Sequence, residues 1–197
     1  PLAGSTFKKV YYDDLLERAV SKFVPADDLV VPYSATSLND AESIIQTIKI
    51  SENELRKQQV AGFYSDVDLG PPGHIKQDDV EKKEKELDGS KKTGKQEPIY
   101  NLLECHVNLD LEGFEDKDAE LNPTGIKLPY IVTVDEGSKK VLSIRRNYQP
   151  TDPKRNKIQY FVHFKFLPGL GFYGFGLIHM IGGLSRTATA ALRQLLD

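Results

Sequence analysis

Residues 169–174, Gly169-Leu-Gly171-Phe-Tyr-Gly174, have the G-x-G-x-x-G spacing of a loop that cradles a dinucleotide phosphate. Such loops use glycine so that backbone amides can approach a pyrophosphate at the start of a helix. The run follows an extended, aromatic stretch and precedes a helical one, which fits. A dinucleotide site also needs a parallel strand after the helix, ending in an acidic residue. No such strand follows here. Leu170, Phe172, Tyr173 and Phe175 also crowd the space a phosphate would take. The aromatics Phe172, Tyr173 and Phe175 read as anchors of a subunit interface or as ordinary core packing.

A second cluster is basic. Lys154, Arg155 and Lys157 fall in one turn, with Arg145, Arg146 and Lys165 nearby in sequence. Residues of this kind bind phosphates, pair with an acidic partner or face water. Carboxylates gather at Asp110, Glu112, Glu115, Asp116, Asp118 and Glu120. They alternate as calcium ligands do, but Leu121 stands where a calcium loop needs glycine. The expectation is a solvated loop and no metal. His74, His106, His163 and His179 show no metal-ligand spacing. Cys105 and His106 are adjacent in an expected strand and point to opposite faces, so they form no dyad there. Cys105 is expected on the apolar face and His106 toward solvent. Nucleophile motifs are lacking, and Gly89 to Lys95 has no Ser or Thr after its G-x4-G-K spacing. No catalytic residue and no cofactor are assigned.

The elements that must position these residues are mostly strands. Thr6 to Tyr12, Ala19 to Val24, Leu29 to Val31 and Ser43 to Ile50 have extended composition. Ser51-Glu-Asn-Glu54 is a capping box, opening a short helix that stops at Gly62. Residues 65–98 are charged, with Gly70-Pro-Pro-Gly73 at their head, and read as a surface insertion. Alternation then resumes at Ile99 to Leu111, Lys127 to Val134, Val141 to Asn147 and Gln159 to Phe166. A four-stranded antiparallel meander is the economical arrangement of these four. The tail turns helical over Leu177 to Ile181, breaks at Gly182-Gly183 and resumes from Leu184 to Leu196. The fold class is therefore α+β, mostly an antiparallel meander with one capped surface helix and a C-terminal helical segment. The parts are 1–64, the insertion 65–98, and 99–197, together possibly one domain.

Composition bounds the function. The chain has 197 residues, 39% hydrophobic and 28% charged, with a net charge of -3. A freestanding, strongly basic nucleic-acid module does not have that balance. One cysteine excludes an internal disulfide. The apolar run from Phe161 to Leu184 is interrupted by Pro168 and glycines, so it is no uninterrupted membrane-spanning helix. The chain starts at Pro1 and stops at Asp197 within a helical pattern, which reads as a piece of a larger polypeptide.

Phe161-Val-His-Phe-Lys-Phe-Leu-Pro-Gly-Leu-Gly-Phe-Tyr-Gly-Phe-Gly-Leu-Ile-His-Met-Ile-Gly-Gly-Leu-Ser, continuing to Ala191-Leu-Arg-Gln-Leu-Leu-Asp197, resembles the portal (head-to-tail connector) protein of short-tailed, double-stranded DNA phages or a related prophage. Thr6-Phe-Lys-Lys-Val-Tyr-Tyr-Asp, Phe23-Val-Pro-Ala-Asp-Asp-Leu-Val-Val-Pro-Tyr, Leu55-Arg-Lys, Gly62-Phe-Tyr, Leu111-Glu-Gly-Phe and Thr124-Gly-Ile-Lys-Leu-Pro-Tyr look similar too. The resemblance implies a non-enzymatic part of a ring, commonly a dodecamer, at one capsid vertex of the virion, assembled in the host cytoplasm. Genomic DNA is packaged and ejected through that ring. Its partners would be other portal subunits, terminase, capsid and head-completion proteins, with no membrane. The chain resembles the wing region, lacking the channel-lining elements. The competing expectation is a nucleotide-binding enzyme using Gly169 to Gly176.

Overall fold

In a computed structural model, residues 4–13, 16–72, 99–117 and 122–196 are described. Residues 73–98 of the insertion expected over 65–98, His74 among them, lie outside them, as do Asp118 and Glu120. The chain divides into two units: Pro1–Ile44 with Tyr148–Asp197, and Ile45–Asn147.

The first unit is built on three strands, β1 (Ser5–Asp13), β2 (Arg18–Val24) and, from the far end of the chain, β8 (Phe161–Lys165). Their order is β2-β1-β8 and both pairings are antiparallel. The pleat turns Phe7, Val24 and Phe161 to one face, where all three are at most 2% exposed. A 3-10 turn (Ala26–Asp28), the short β3 (Leu29–Val30) and the loop that follows supply the lid of that core. Leu29, Ala35, Leu38, Ala41, Ile44 and Phe172 complete it. The lid loop is held by Asp40, which accepts from the amides and hydroxyls of Thr36 and Ser37 at 2.6–3.0 Å. Those bonds, the Thr36 hydroxyl first, keep its carboxyl well below the usual carboxylate range.

In the second unit, β4 (Ile44–Ser51), β5 (Ile99–Leu109), β6 (Leu128–Asp135) and β7 (Val141–Arg146) are neighbours in that order. β5 to β7 form an antiparallel meander. Helix α1 (Glu52–Val60) starts where Ser51 caps the Glu54 amide at 3.4 Å and ends before Gly62, whose φ of 75° is the left-handed stop. It buries only Leu55, against Ile50, Tyr64, Tyr100, Leu102 and Leu142. Residues 65–69 are tied to this unit: the Ser65 amide donates to Leu142 O at 2.8 Å, and Lys140 Nζ donates to Asp68 O at 2.6 Å.

Three expectations are corrected. The strand around Gln159 to Phe166 does not extend the meander; β8 pairs with β1 instead. Alternation identifies a strand but not its partner, and the residues between β7 and β8 are ample for a change of sheet. The tail is one continuous helix, α2 (Leu177–Leu196), through Gly182 and Gly183. Two glycines cost about 1 kcal/mol each in a helix and do not forbid one. The two faces of β5 are also exchanged. Tyr100, Leu102, Glu104 and His106 are buried, whereas Leu103, Cys105 and Val107 are partly exposed. The buried polar side chains are tolerated because His106 Nε2 and Glu104 Oε1 meet at 2.7 Å. Counting apolar residues on each side gave the wrong face because paired polar groups count as buried too.

Glycine at position 4 is required by contact. Its φ is 92°, and a Cβ there would stand 2.2 Å from Gly174 O. Gly4→Ala therefore forces backbone apart and should cost at least about 2 kcal/mol. Gly171→Ala, in open space, should leave the melting temperature nearly unchanged. Thermal unfolding by circular dichroism checks the pair; equal melting temperatures would show that the close approach is unimportant.

Candidate functional site

The glycine-rich loop is set by backbone bonds and by two side-chain acceptors. Leu167 and Phe175 exchange amide-to-carbonyl bonds of 3.1 and 2.8 Å, closing the loop at its base. The Phe166 amide donates to Gly4 O at 2.9 Å, and the Gly174 amide donates to Ser5 Oγ at 2.8 Å. The Gly176 amide donates to His179 Nδ1 at 3.1 Å. The amides of Gly174, Phe175 and Gly176 are thus committed inside the protein. The preceding strand is antiparallel to its neighbour. This is not the parallel strand-turn-helix setting in which such spacing holds a dinucleotide.

The loop's three aromatics separate. Phe172 is 7% exposed and packs on Phe7, with centroids 5.9 Å apart, and on His163 at 4.9 Å. Tyr173 stands edge-on to Phe172, and Tyr173 and Phe175 remain about half exposed. Leu170, at the loop tip, is fully exposed. The loop is therefore pinned by one ring and presents the others.

His163 sits under that ring, 4.4 Å from Phe7, and its Nε2 lies 3.0 Å from Ser5 Oγ. Burial, helped by Lys165, lowers its pKa to about 4. Ser5 Oγ thus meets His163 Nε2 on one side and accepts from the Gly174 amide on the other. That chain links β1, β8 and the loop. Sequence reasoning treated His163 as one of four unpaired histidines. Its position on the same face as Phe161, two residues away, was the available signal.

The basic trio is divided as well. Lys157 Nζ is half-buried and donates to the carbonyls of Ala41 at 3.0 Å and Leu38 at 3.5 Å. Burial lowers its pKa, against the pull of Asp40. It clamps the lid loop, and Gln159 adds a second bond to Leu38 O at 3.0 Å. Lys154 is exposed, and Arg155 adopts a φ of 49° in a turn organised by Asp152. Asp152 accepts from the amides of Lys154 and Asn156 at 3.0 Å each. The two arginines of β7 lie over rings: Arg145 is 4.2 Å from the Phe63 centroid and Arg146 is 5.7 Å from that of Phe114. No single phosphate-binding cluster is assembled from Lys154, Arg155 and Lys157 in this geometry.

Two carboxylates of the acidic loop, Glu115 and Asp116, accept hydrogen bonds from within the loop itself. Glu115 Oε1 accepts from the Gly113 amide at 2.9 Å, which lowers its pKa. Asp116 Oδ2 accepts from the Thr124 hydroxyl at 2.6 Å. Among the described residues no group of three or more His, Cys, Asp or Glu is placed to hold a metal ion. Cys105 is half-buried with its thiol pKa raised by burial and by Glu104, so it is a poor nucleophile.

What remains unaccounted for is apolar surface. The register puts Lys8, Val10 and Tyr12 of β1 on the same face as Phe23 of β2 and Val162 and Phe164 of β8. This is the sheet's outer face. Val10, Tyr12, Phe23, Val162, Phe164 and the following Phe166 are each 44–66% exposed. Helix α2 is the other such surface. Every residue from His179 to Leu195 is exposed, including Leu184 at 73% and Leu195 at 83%. Exposed apolar patches of this extent mark interaction surfaces. Sequence reasoning found the helix but not the sheet face, because β1 and β2 have apolar residues on both sides and period alone does not say which side is covered. No protein-family model matches the chain, and comparison with curated proteins finds no match.

The His163 shift has a pH consequence. Its folded pKa, about 4, lies below the ordinary 6.5. The unfolded chain thus binds the proton more readily between those values, and stability present above pH 6.5 is lost as pH falls toward 4. His163→Gln should flatten that part of a stability-against-pH curve measured by urea unfolding; an unchanged slope would remove His163 from the account.

Proposed function

We propose that this chain is a non-enzymatic structural module, the wing-region part of a portal ring at the vertex of a double-stranded DNA phage or prophage capsid. The observation that carries the reading is apolar surface displayed on two faces of one unit, the outer sheet face and α2. A protein whose work is to pack against copies of itself has that surface. The resemblance of Phe161 to Asp197, and of the shorter stretches before it, supplies the identity of the assembly. The exposed Tyr173 and Phe175 suit contact with a neighbour, and the antiparallel pairing of β8 weighs against a dinucleotide site.

On this reading the partners are other portal subunits in a ring of about a dozen, with terminase, capsid and head-completion proteins around it. Genomic DNA passes through the ring, and the location is the virion, after assembly in the bacterial cytoplasm. Catalysis, cofactor and metal have no part in it. Native mass spectrometry and electron microscopy of the complete polypeptide should show a closed ring of about a dozen copies. A monomer, or a particle without rotational symmetry, overturns the proposal.

A further inference from the structure

We propose that α2 of one copy docks on the outer face of the β2-β1-β8 sheet of a second copy, giving a head-to-tail contact. This deepens the ring reading and takes from it only that the partner is another copy of the chain.

The two surfaces match in chemistry. With 3.6 residues per turn, Leu177, Ile181, Leu184, Ala188, Ala191 and Leu195 recur at spacings of four and three along one side of α2. Ile178, Met180 and Leu192 widen that stripe to an arc of about 160°. Arg186 and Arg193, both on the opposite side, leave the arc without charge. The arc is wider than the seam of a two-stranded coiled coil, and its width suits a flat apolar floor. The sheet face is such a floor. Its charged side chain, Lys8, folds over the Phe164 ring with Nζ 5.8 Å from the centroid.

They also match in size. A helix of 20 residues is about 30 Å long. The nine residues of β1 span about 30 Å. The exposed fractions of the apolar side chains correspond to roughly 600–800 Å² on each surface, near the ~800 Å² per partner of a standard interface. Two surfaces that differ from each other on one subunit generate a heterologous contact, and repetition of that contact closes a ring or grows a filament. Self-pairing of α2 would leave the sheet face bare, and self-pairing of the sheet would leave α2 bare.

The test uses two variants of the 197-residue chain. Leu184→Glu with Leu192→Glu disables the helix; Phe23→Asp with Phe164→Asp disables the sheet face. All four positions are exposed, so both variants should fold, which circular dichroism checks. Sedimentation at increasing concentration should show the unmodified chain assembling beyond a dimer. Each variant alone should remain monomeric. Mixed in equal amounts, they should form a one-to-one dimer that grows no further, because one intact helix and one intact sheet face remain. An unmodified chain that assembles while the mixture stays monomeric overturns this pairing and leaves the ring reading standing. A variant that still assembles alone also overturns the pairing. An unmodified chain that is monomeric throughout overturns the pairing, whereas the ring reading is judged separately by the complete polypeptide.

Discussion

The first unit rests on a three-stranded sheet that is apolar on both sides. Inside, Phe7 and Phe161 are essentially removed from water by the lid loop and by Phe172. Outside, rings of the same kind face solvent. A sheet with one covered face normally alternates apolar-in and polar-out. Here the alternation fails on the outer side, at Val10, Tyr12, Phe23, Val162 and Phe164. Hydrophobic surface left in water works against the isolated unit at about 25 cal/mol per Å². In the proposed assembly that disadvantage is relieved when a second copy covers the face.

The inner side shows how such a sheet is held while its other face is bare. Two side chains reach from one segment to grip the lid, Lys157 and Gln159, both onto Leu38 O. Asp40 stiffens the lid from within. Ser5 joins β1, His163 and the glycine loop through one hydroxyl. The clamps made by Lys157, Gln159 and Ser5 cross between segments far apart in sequence. They fix the geometry of β8 and of the loop that launches α2, so that the exposed rings and the helix keep a defined placement within the unit.

Much of this was legible in the residues. The capping box at Ser51 and the stop at Gly62 carry local signals, and local signals survive translation into structure. Strand partnership does not have a local signal. Gln159 to Phe166 reads as a strand in any context, and only the distant Ser5 to Lys9 decides where it pairs. The reversal of β5 has a similar cause: Glu104 and His106 look like surface residues until they are seen to satisfy each other. At the candidate surfaces, the aromatic loop was visible as a set. Its division into a buried Phe172 and exposed Tyr173 and Phe175 depends on Phe7 and His163 being underneath, which no spacing reveals. Lys157 likewise reads as one of a basic trio, yet its reach to two carbonyls makes it a structural clamp.

In the proposed assembly the bare helix is covered by another molecule. A helix of this length with its apolar arc in water should open readily on its own. Amide hydrogen exchange resolved along the chain, followed over a wide range of protein concentration, addresses this directly. The amides of 180–195 should exchange fast in dilute solution and become strongly protected as concentration rises, while those of β5 and β6 stay unchanged. Protection of α2 that is the same at every concentration, whether high or absent, would contradict the claim that a second copy covers it.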